Sequence, residues 1–112
     1  MQSIPGNLKQ EIIRINNNLN ISMYGTGLRQ QRVFIMDEKM IIILADNKRI
    51  PALAALDDTD LVITRSVDVA LLNQYKKKFK DELKRETGLS IKCILKDYDP
   101  GTELAATVIL LE

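Results

Sequence analysis

The sequence predicts an α+β domain with a mainly antiparallel four-stranded sheet and a long helix packed on one face of that sheet. Three observations lead to this prediction. Apolar residues recur at helical spacing in two long segments. Four short segments are rich in β-branched residues, and short turns join these four segments in pairs. The expected order is α-β-β-(short α)-α-β-β, and positions 1–112 have the length of one domain.

The first element is predicted to be a helix with one narrow apolar stripe. The stripe residues are spaced by four, three and four positions, which stacks them at about 100° per residue. They are Leu8, Ile12, Ile15 and Leu19. Asparagine competes with a helix for backbone hydrogen bonds, so the asparagine run at 16–18 is predicted to end it.

Two strands are expected next, at residues 31–36 and 39–45, because both segments are rich in β-branched and aromatic residues. Asp37 and Glu38 separate the two segments, which predicts a hairpin with a two-residue connection. Pro51 favours the first turn of a short helix at 51–56, because its fixed φ suits a helix start.

The second long helix is predicted from an apolar face that spans about 120° of arc. The residues of this face are Val69, Leu72, Tyr75, Phe79 and Leu83. Asp60 and Ser66 are both suitable N-caps, which leaves two possible starts for the helix. Gly88 is expected to end it, because glycine readily adopts the left-handed conformation of a helix stop.

The last two strands are predicted at 89–96 and 103–111, joined by the turn at 99–102. Pro100 and Gly101 occupy the second and third turn positions, a pattern typical of a type II turn with positive φ at the glycine. Cys93 is expected to be a small buried hydrophobic residue on the face shared by its strand neighbours at 91 and 95.

An acidic group surrounds this last turn. Asp97, Asp99 and Glu103 offer carboxylate oxygens of the kind that Ca²⁺ and Mg²⁺ bind. Their spacing does not fit an EF-hand loop, and an aspartate before proline commonly bonds the backbone of its own turn. A structural turn is therefore favoured over a cation or partner contact for Asp97, Asp99, Pro100 and Gly101.

The sheet is predicted to be apolar on both faces. Residues 40–44 and 108–111 are continuously apolar instead of alternating with polar residues. Either the two long helices divide between the faces, or another copy of the chain covers one face. We expect a homo-oligomer formed through a sheet face or edge, with Ile41, Ile43, Ile109 and Leu111 as the contact residues.

Composition narrows the functional classes. The net charge is only +1, which does not favour nucleic-acid binding. The chain has no histidine and one cysteine, so the commonest general base and zinc ligands are absent and a disulfide within the chain is excluded. No cofactor or metal is expected.

The longest apolar run is far below the roughly 20 residues that span a bilayer, so we expect a cytoplasmic protein without membrane insertion.

Two segments carry a resemblance to a known family. One is the hairpin at 32–44 preceded by Gly25 and Gly27; the other is Glu86-Thr87-Gly88-Leu89-Ser90-Ile91-Lys92 followed by Asp97-Tyr98-Asp99-Pro100 and the terminal strand. The chain resembles the MpsC family, which is associated with a sodium-translocating, membrane-potential-generating system. Residues 49–56 look similar to a Firmicute-type subgroup in which some members carry two such domains in tandem, so a divergent member or one domain of a tandem protein is expected.

The resemblance implies a non-enzymatic, cytosolic accessory or regulatory protein. Its partner would belong to a membrane cation or bicarbonate transport system. The resemblance supplies no catalytic residues. The alternative is a stand-alone domain that binds a small ligand or single-stranded nucleic acid, although the chain has few aromatic residues for base stacking.

Overall fold

The computed structural model describes residues 6–112, so the first five residues of the predicted domain lie outside the described part. The elements in chain order are α1 (Leu8–Tyr24), β1 (Gln30–Met36), β2 (Met40–Asp46), α2 (Pro51–Leu56), α3 (Leu61–Thr87), β3 (Ile91–Asp99) and β4 (Leu104–Leu111). This confirms the predicted α+β class, the element order and the long helix on the sheet. Asp60, rather than Ser66, caps α3, and Gly88 ends it with φ +72°.

The four strands form one antiparallel sheet in the order β1-β2-β4-β3. The two hairpins, β1-β2 and β3-β4, meet where β4 pairs with β2, so β1 and β3 are the edge strands. The connection through α2 and α3 carries the chain from β2 across the sheet to the far edge at β3.

Both long helices pack on the same face of the sheet. α1 contacts β1 and α3, while α3 contacts β3. The apolar stripe predicted for α1 is fully buried in this layer. Tyr75 and Phe79 of α3 are buried beside it, with ring centres 5.2 Å apart. The core therefore lies between the helices and one sheet face, and no helix formed by residues 6–112 covers the other face.

The contact residues predicted for self-association lie on the wrong face. Ile41, Ile43 and Ile109 have no exposed surface and Leu111 is 5% exposed, because these side chains point into the layer beneath the helices. Side chains alternate along a strand, so the outward positions are Ile42, Leu44, Val108 and Leu110 instead. The pattern of apolar residues along the strands could not predict which of the two sets faces the core, because both sets are apolar.

The asparagine run does not end α1, which continues to Tyr24 and stops at Gly25 with φ +79°. Asn16 and Asn20 are instead buried against the sheet. The prediction failed because these side chains find partners in the core and do not compete with the helix backbone.

These asparagines form a hydrogen-bond network that joins α1 to α3 and to two strands. The Tyr75 hydroxyl donates to Asn16 Oδ1. Asn16 Nδ2 donates to Gln31 Oε1 (3.0 Å), and Asn20 Nδ2 donates to the Asn16 carbonyl (2.8 Å). Asn47 Nδ2, just beyond β2, donates to Asn20 Oδ1 (3.1 Å). No buried side-chain nitrogen or oxygen among residues 6–112 lacks a hydrogen-bond partner, and the shared bonds fix the position of α1 on the sheet.

The two hairpin turns differ from their predictions. The β1-β2 loop has three residues, 37–39, and both Asp37 (φ +53°) and Glu38 (φ +56°) adopt the left-handed conformation. In the β3-β4 turn the left-handed residue is Glu103 (φ +60°) and not Gly101, so the type II prediction is wrong. The Glu103 amide donates to the Asp99 carbonyl (2.8 Å), which closes a longer loop.

A β-bulge in β3 changes the faces on which its side chains lie. Ile91 pairs with Leu111 and Cys93 with Leu110, so Lys92 is the extra residue. Ile91 is consequently buried under the helices, whereas Cys93 is half-buried on the opposite face. The prediction that Cys93 is buried beside Ile91 is wrong because a bulge breaks the two-residue alternation.

We expect Asn16→Ala to lower the free energy of unfolding by about 2–3 kcal/mol, because it leaves the Tyr75 hydroxyl and neighbouring amides without partners in the core. Asn18→Ala is the matched control, since Asn18 is exposed on the same helix and alanine is the better helix former. Urea denaturation at one fixed protein concentration measures both. Equal effects of the two substitutions would contradict the network's role.

Candidate functional site

The sheet face opposite the helices is apolar, and no helix in the described part of the chain covers it; we call it the open face. Phe34 is 43% exposed, Met36 49%, Leu95 54% and Leu104 47%, all on this side of the sheet. The apolar residues of the open face are Phe34, Met36, Met40, Ile42, Leu44, Cys93, Leu95, Leu104, Ala106, Val108 and Leu110. A contiguous apolar surface of this kind is characteristic of an interaction site.

The strand register arranges the open face in rows that cross all four strands. One row is Phe34, Ile42, Val108 and Leu95, and the row beside it is Met36, Met40, Leu110 and Cys93. Both rows are apolar from edge to edge, so the centre of the surface contains no charged side chain.

The next row has a charge at each end. It runs Arg32, Leu44, Ala106 and Asp97, which places Arg32 on edge strand β1 and Asp97 on edge strand β3. Three strand spacings, or about 14 Å, separate the two backbones. Asp97 Oδ1 accepts a hydrogen bond from the Tyr98 amide (2.9 Å), and no ion pair within residues 6–112 involves either Arg32 or Asp97.

The acidic turn at the end of β3 is held by its own hydrogen bonds. The Thr102 hydroxyl donates to Asp99 Oδ2 (2.7 Å), and this bond, with backbone amides of the turn, lowers the pKa of Asp99. Glu103 is occupied elsewhere, since its Oε2 accepts from the Arg49 amide. Pro100 and Gly101 complete the loop. Within residues 6–112 the carboxylates do not gather with a third metal-binding side chain into a possible metal site.

A buried arginine lies on the helix side of the sheet, beyond the end of β2. Arg49 donates from Nε and Nη2 to the two oxygens of Asp57 (3.0 and 2.8 Å) and from Nη1 to Asp68 (2.6 Å). These bonds raise the pKa of Arg49 and fasten the end of α2 to α3. The Tyr98 ring lies beneath the guanidinium at 5.8 Å, and burial raises the pKa of Tyr98 to about 12. Sequence analysis missed Arg49 because its segment has no periodic pattern.

A small cavity lies beside this arginine, between α1, α3 and β3, and its volume is about 30 Å³. Lys96 extends into it from β3, with Nζ 3.3 Å from the centre of the Tyr75 ring. Burial lowers the pKa of Lys96 to about 7, while the ring face favours the cation and opposes the shift. Sequence analysis also missed Lys96, because a single lysine in an alternating strand is usually exposed.

The first turns of α3 expose a second apolar surface. Leu61 is 48% exposed, Val62 78% and Ile63 50%. Val69, predicted to lie on the core face, is 58% exposed. The predicted face is therefore correct only from Tyr75 onward, with Leu72 half-buried.

The aromatic residues do not form a stacking surface. Tyr75 and Phe79 are completely buried in the core, and the Tyr98 hydroxyl donates to the Asn47 carbonyl (2.8 Å). Phe34 is the aromatic side chain of the open face. This arrangement gives no support to the nucleic-acid alternative, because such surfaces commonly present several exposed rings.

Comparison with protein families, curated proteins and solved structures finds no significant match to this chain. The MpsC-like assignment remains a prediction from the sequence. Across residues 6–112, each helix is too short or too polar to span a bilayer.

We expect Lys96→Met to stabilise the protein in a pH-dependent way. An unfolded lysine titrates near 10.5, whereas the folded Lys96 titrates near 7. Between pH 7 and pH 10.5 the unfolded chain binds more protons than the folded protein, so the free energy of unfolding of the wild type rises with pH. Below about pH 7 the full cost of burying the charge applies. The gain from Lys96→Met should be on the order of a few kcal/mol at pH 6 and disappear near pH 10.5.

The matched control is Lys92→Met, which removes an exposed lysine from the same strand. Urea denaturation of the three proteins from pH 6 to pH 10 provides the comparison, in a buffer of low salt content. A stability gain of Lys96→Met that does not change with pH, or a loss at pH 6, would contradict the buried position of the ammonium.

Proposed function

We propose that this protein is a non-enzymatic accessory protein that acts as a homodimer, with the open faces of two copies packed against each other. The observation that supports it most strongly is the uncovered apolar face itself. Both long helices lie on the opposite side of the sheet, and Phe34, Met36 and Leu95 are each at least 43% exposed to water.

The open face is large enough for such an interface. Four strands about 4.8 Å apart and about seven residues long give a footprint of roughly 20 by 23 Å, or about 450 Å². Two copies together would bury about 900 Å², which is close to the roughly 1,000 Å² of the smallest specific interfaces. Each large aliphatic side chain removed from water contributes roughly 1.5–3 kcal/mol, which offsets the entropy lost on association.

The charges at the two edges select one symmetry. A two-fold axis parallel to the strands places β1 over the partner's β3. Each row of side chains then lies opposite the same row of the partner. Arg32 then lies opposite the partner subunit's Asp97, and the same contact occurs twice because the interface is isologous. The apolar rows face each other at the centre, with the ion pairs at the edges, as in protein interfaces generally.

The other axis within the plane of the interface is less favourable. An axis across the strands would place β1 over the partner's β1 and reverse the order of the rows. Arg32 would then lie on Phe34 of the partner subunit, and Asp97 on Leu95 of the partner subunit. Both charges would lose water without gaining a partner, which is costly.

The biological role follows from the resemblance to the MpsC family. We propose that the dimer is a cytoplasmic accessory or regulatory component that binds a membrane cation or bicarbonate transport system. A non-enzymatic role is supported by the chain's lack of histidine and by the position of Cys93 on the apolar open face, away from Lys96 and Arg49. The exposed start of α3 offers a second surface.

We expect Arg32→Glu and Asp97→Arg each to weaken the dimer at least tenfold, because each replaces two ion pairs with two like-charge contacts. The double variant Arg32→Glu/Asp97→Arg exchanges the charges and should recover most of the affinity. Sedimentation equilibrium measures the dissociation constant, with a mass of twice 12.7 kDa expected for the wild type at micromolar concentration.

Arg65→Glu is the matched control, since Arg65 is exposed on α3 and the substitution changes charge equally. Circular dichroism establishes that each variant is folded. A monomeric wild-type protein would overturn the dimer. A dimer weakened by the single variants and equally weak in the double variant would overturn the proposed symmetry.

The role beside a membrane system has a separate test. Purification of the tagged protein from detergent-solubilised membranes, followed by mass spectrometry, should recover a membrane transport subunit in stoichiometric amount. A dimer that recovers no membrane protein would contradict this role while leaving the interface intact.

A further inference from the structure

We propose that the cavity beside Lys96 is a binding site for a small monovalent anion, of the size and charge of formate or nitrate. The site lies on the helix side of the sheet and is independent of the dimer proposed above. It is formed by β3, α1, the first half of α3 and the segment that follows β2.

The main reason is a cation without an anionic partner. The structure gives the Lys96 ammonium its contact with the Tyr75 ring, and no carboxylate or carbonyl among residues 6–112 accepts a hydrogen bond from it. The ring occupies one side of the ammonium, and Lys96 also lines the cavity. Lys96 is half-buried, and a cation that has lost part of its hydration is costly unless it is paired, so an anion in the cavity would stabilise it.

The charges around the cavity favour an anion. Lys48, Arg49 and Lys96 line it, against the single carboxylate of Asp68. That carboxylate already accepts a hydrogen bond from Arg49 Nη1 at 2.6 Å, and Arg49 also binds Asp57 from outside the cavity. Arg49, held by its bonds to the two carboxylates, forms a fixed part of the cavity wall. Lys96 supplies the positive charge that is free to bind a ligand.

A second donor is present on α1. Tyr24 lines the cavity, and its hydroxyl makes no hydrogen bond to any of the described residues. Tyr98, in contrast, donates its hydroxyl to the Asn47 carbonyl (2.8 Å) and contributes only its ring. An anion between Lys96 and Tyr24 would accept from both.

The volume limits the ligand. A cavity of about 30 Å³ holds roughly two water molecules, which limits the ligand to a small planar anion such as formate, with three heavy atoms, or nitrate, with four. Phosphate esters, nucleotides and other large anions are too big. The aliphatic side chains of Leu71, Leu72 and Ile50 form the remaining wall and displace part of the water around Lys96, which strengthens the attraction between charges.

Binding should depend on pH through Lys96. The titratable and charged groups that surround it are Tyr24 on α1, Lys48 and Arg49 after β2, Asp68 and Tyr75 on α3, and Tyr98 on β3. Burial lowers the pKa of Lys96 to about 7, so the ammonium form that pairs with an anion is lost as the pH rises through neutrality. Affinity for the anion should therefore be higher at pH 6 than at pH 9.

The test is a titration of the ¹⁵N-labelled full chain with sodium formate, and separately with sodium nitrate, at constant ionic strength maintained with sodium sulfate. We expect saturable shifts of the backbone amide signals of Asn47, Lys48, Lys96 and Tyr98. Lys96→Met should weaken binding at least tenfold, and Tyr24→Phe should weaken it by a smaller factor. Lys92→Met, which removes an exposed lysine of the same strand, should bind as the wild type does.

Shifts that rise linearly without saturation, or a Lys96→Met variant that binds as tightly as the wild type, would overturn the site. So would equal affinity at pH 6 and pH 9. The amide spectrum of each variant reports whether it is folded. Tyr24→Phe supplies a second variant that removes a single hydroxyl if Lys96→Met alters the spectrum globally, and unchanged binding in Tyr24→Phe would then contradict the proposed geometry.

Discussion

The placement of both long helices on one face of the sheet is the constraint on which the remaining features of this protein depend. α1 and α3 pack against each other and against opposite edges of the same face, so the core is built on that side alone. The strands are nevertheless apolar on both sides, as continuous runs such as 40–44 show. One-sided packing of a two-sided apolar sheet therefore leaves an exposed surface that a second copy would cover most simply.

Polar contacts, and not only apolar ones, determine where the helices lie on the sheet. The bonds of Asn16 and Asn20 join α1 to Tyr75 of α3 and to the ends of two strands. Near the same end of the sheet Arg49 joins α2 to α3. Buried polar groups are costly if unpaired, so alternative packings that break these bonds are disfavoured. Residues of both sets, Asn47 and Arg49, line the Lys96 cavity.

The sequence predicts the elements of this fold better than it predicts their faces. Helical spacing identified the buried stripe of α1, and Gly88 marked the end of α3 because glycine suits the left-handed conformation found there. The faces of the strands could not be predicted, because Ile41 and Ile42 are equally apolar and a bulge at Lys92 changes the alternation. Asn16, Arg49 and Lys96 escaped prediction for another reason: their roles depend on partners distant in the chain, which local patterns do not report.

The central claim is that a second copy covers the open face with β1 over the partner's β3. Isotope-filtered nuclear Overhauser spectroscopy on a mixture of labelled and unlabelled protein tests it most directly. Phe34 and Leu95 lie in one row but at opposite edges of the sheet, about 14 Å apart, so no signal between them can arise within one copy. We expect cross-peaks between the Phe34 ring and the Leu95 methyl groups of the partner subunit. Cross-peaks from Phe34 to Arg32 of the partner subunit, or none between copies at millimolar concentration, would contradict the proposed arrangement.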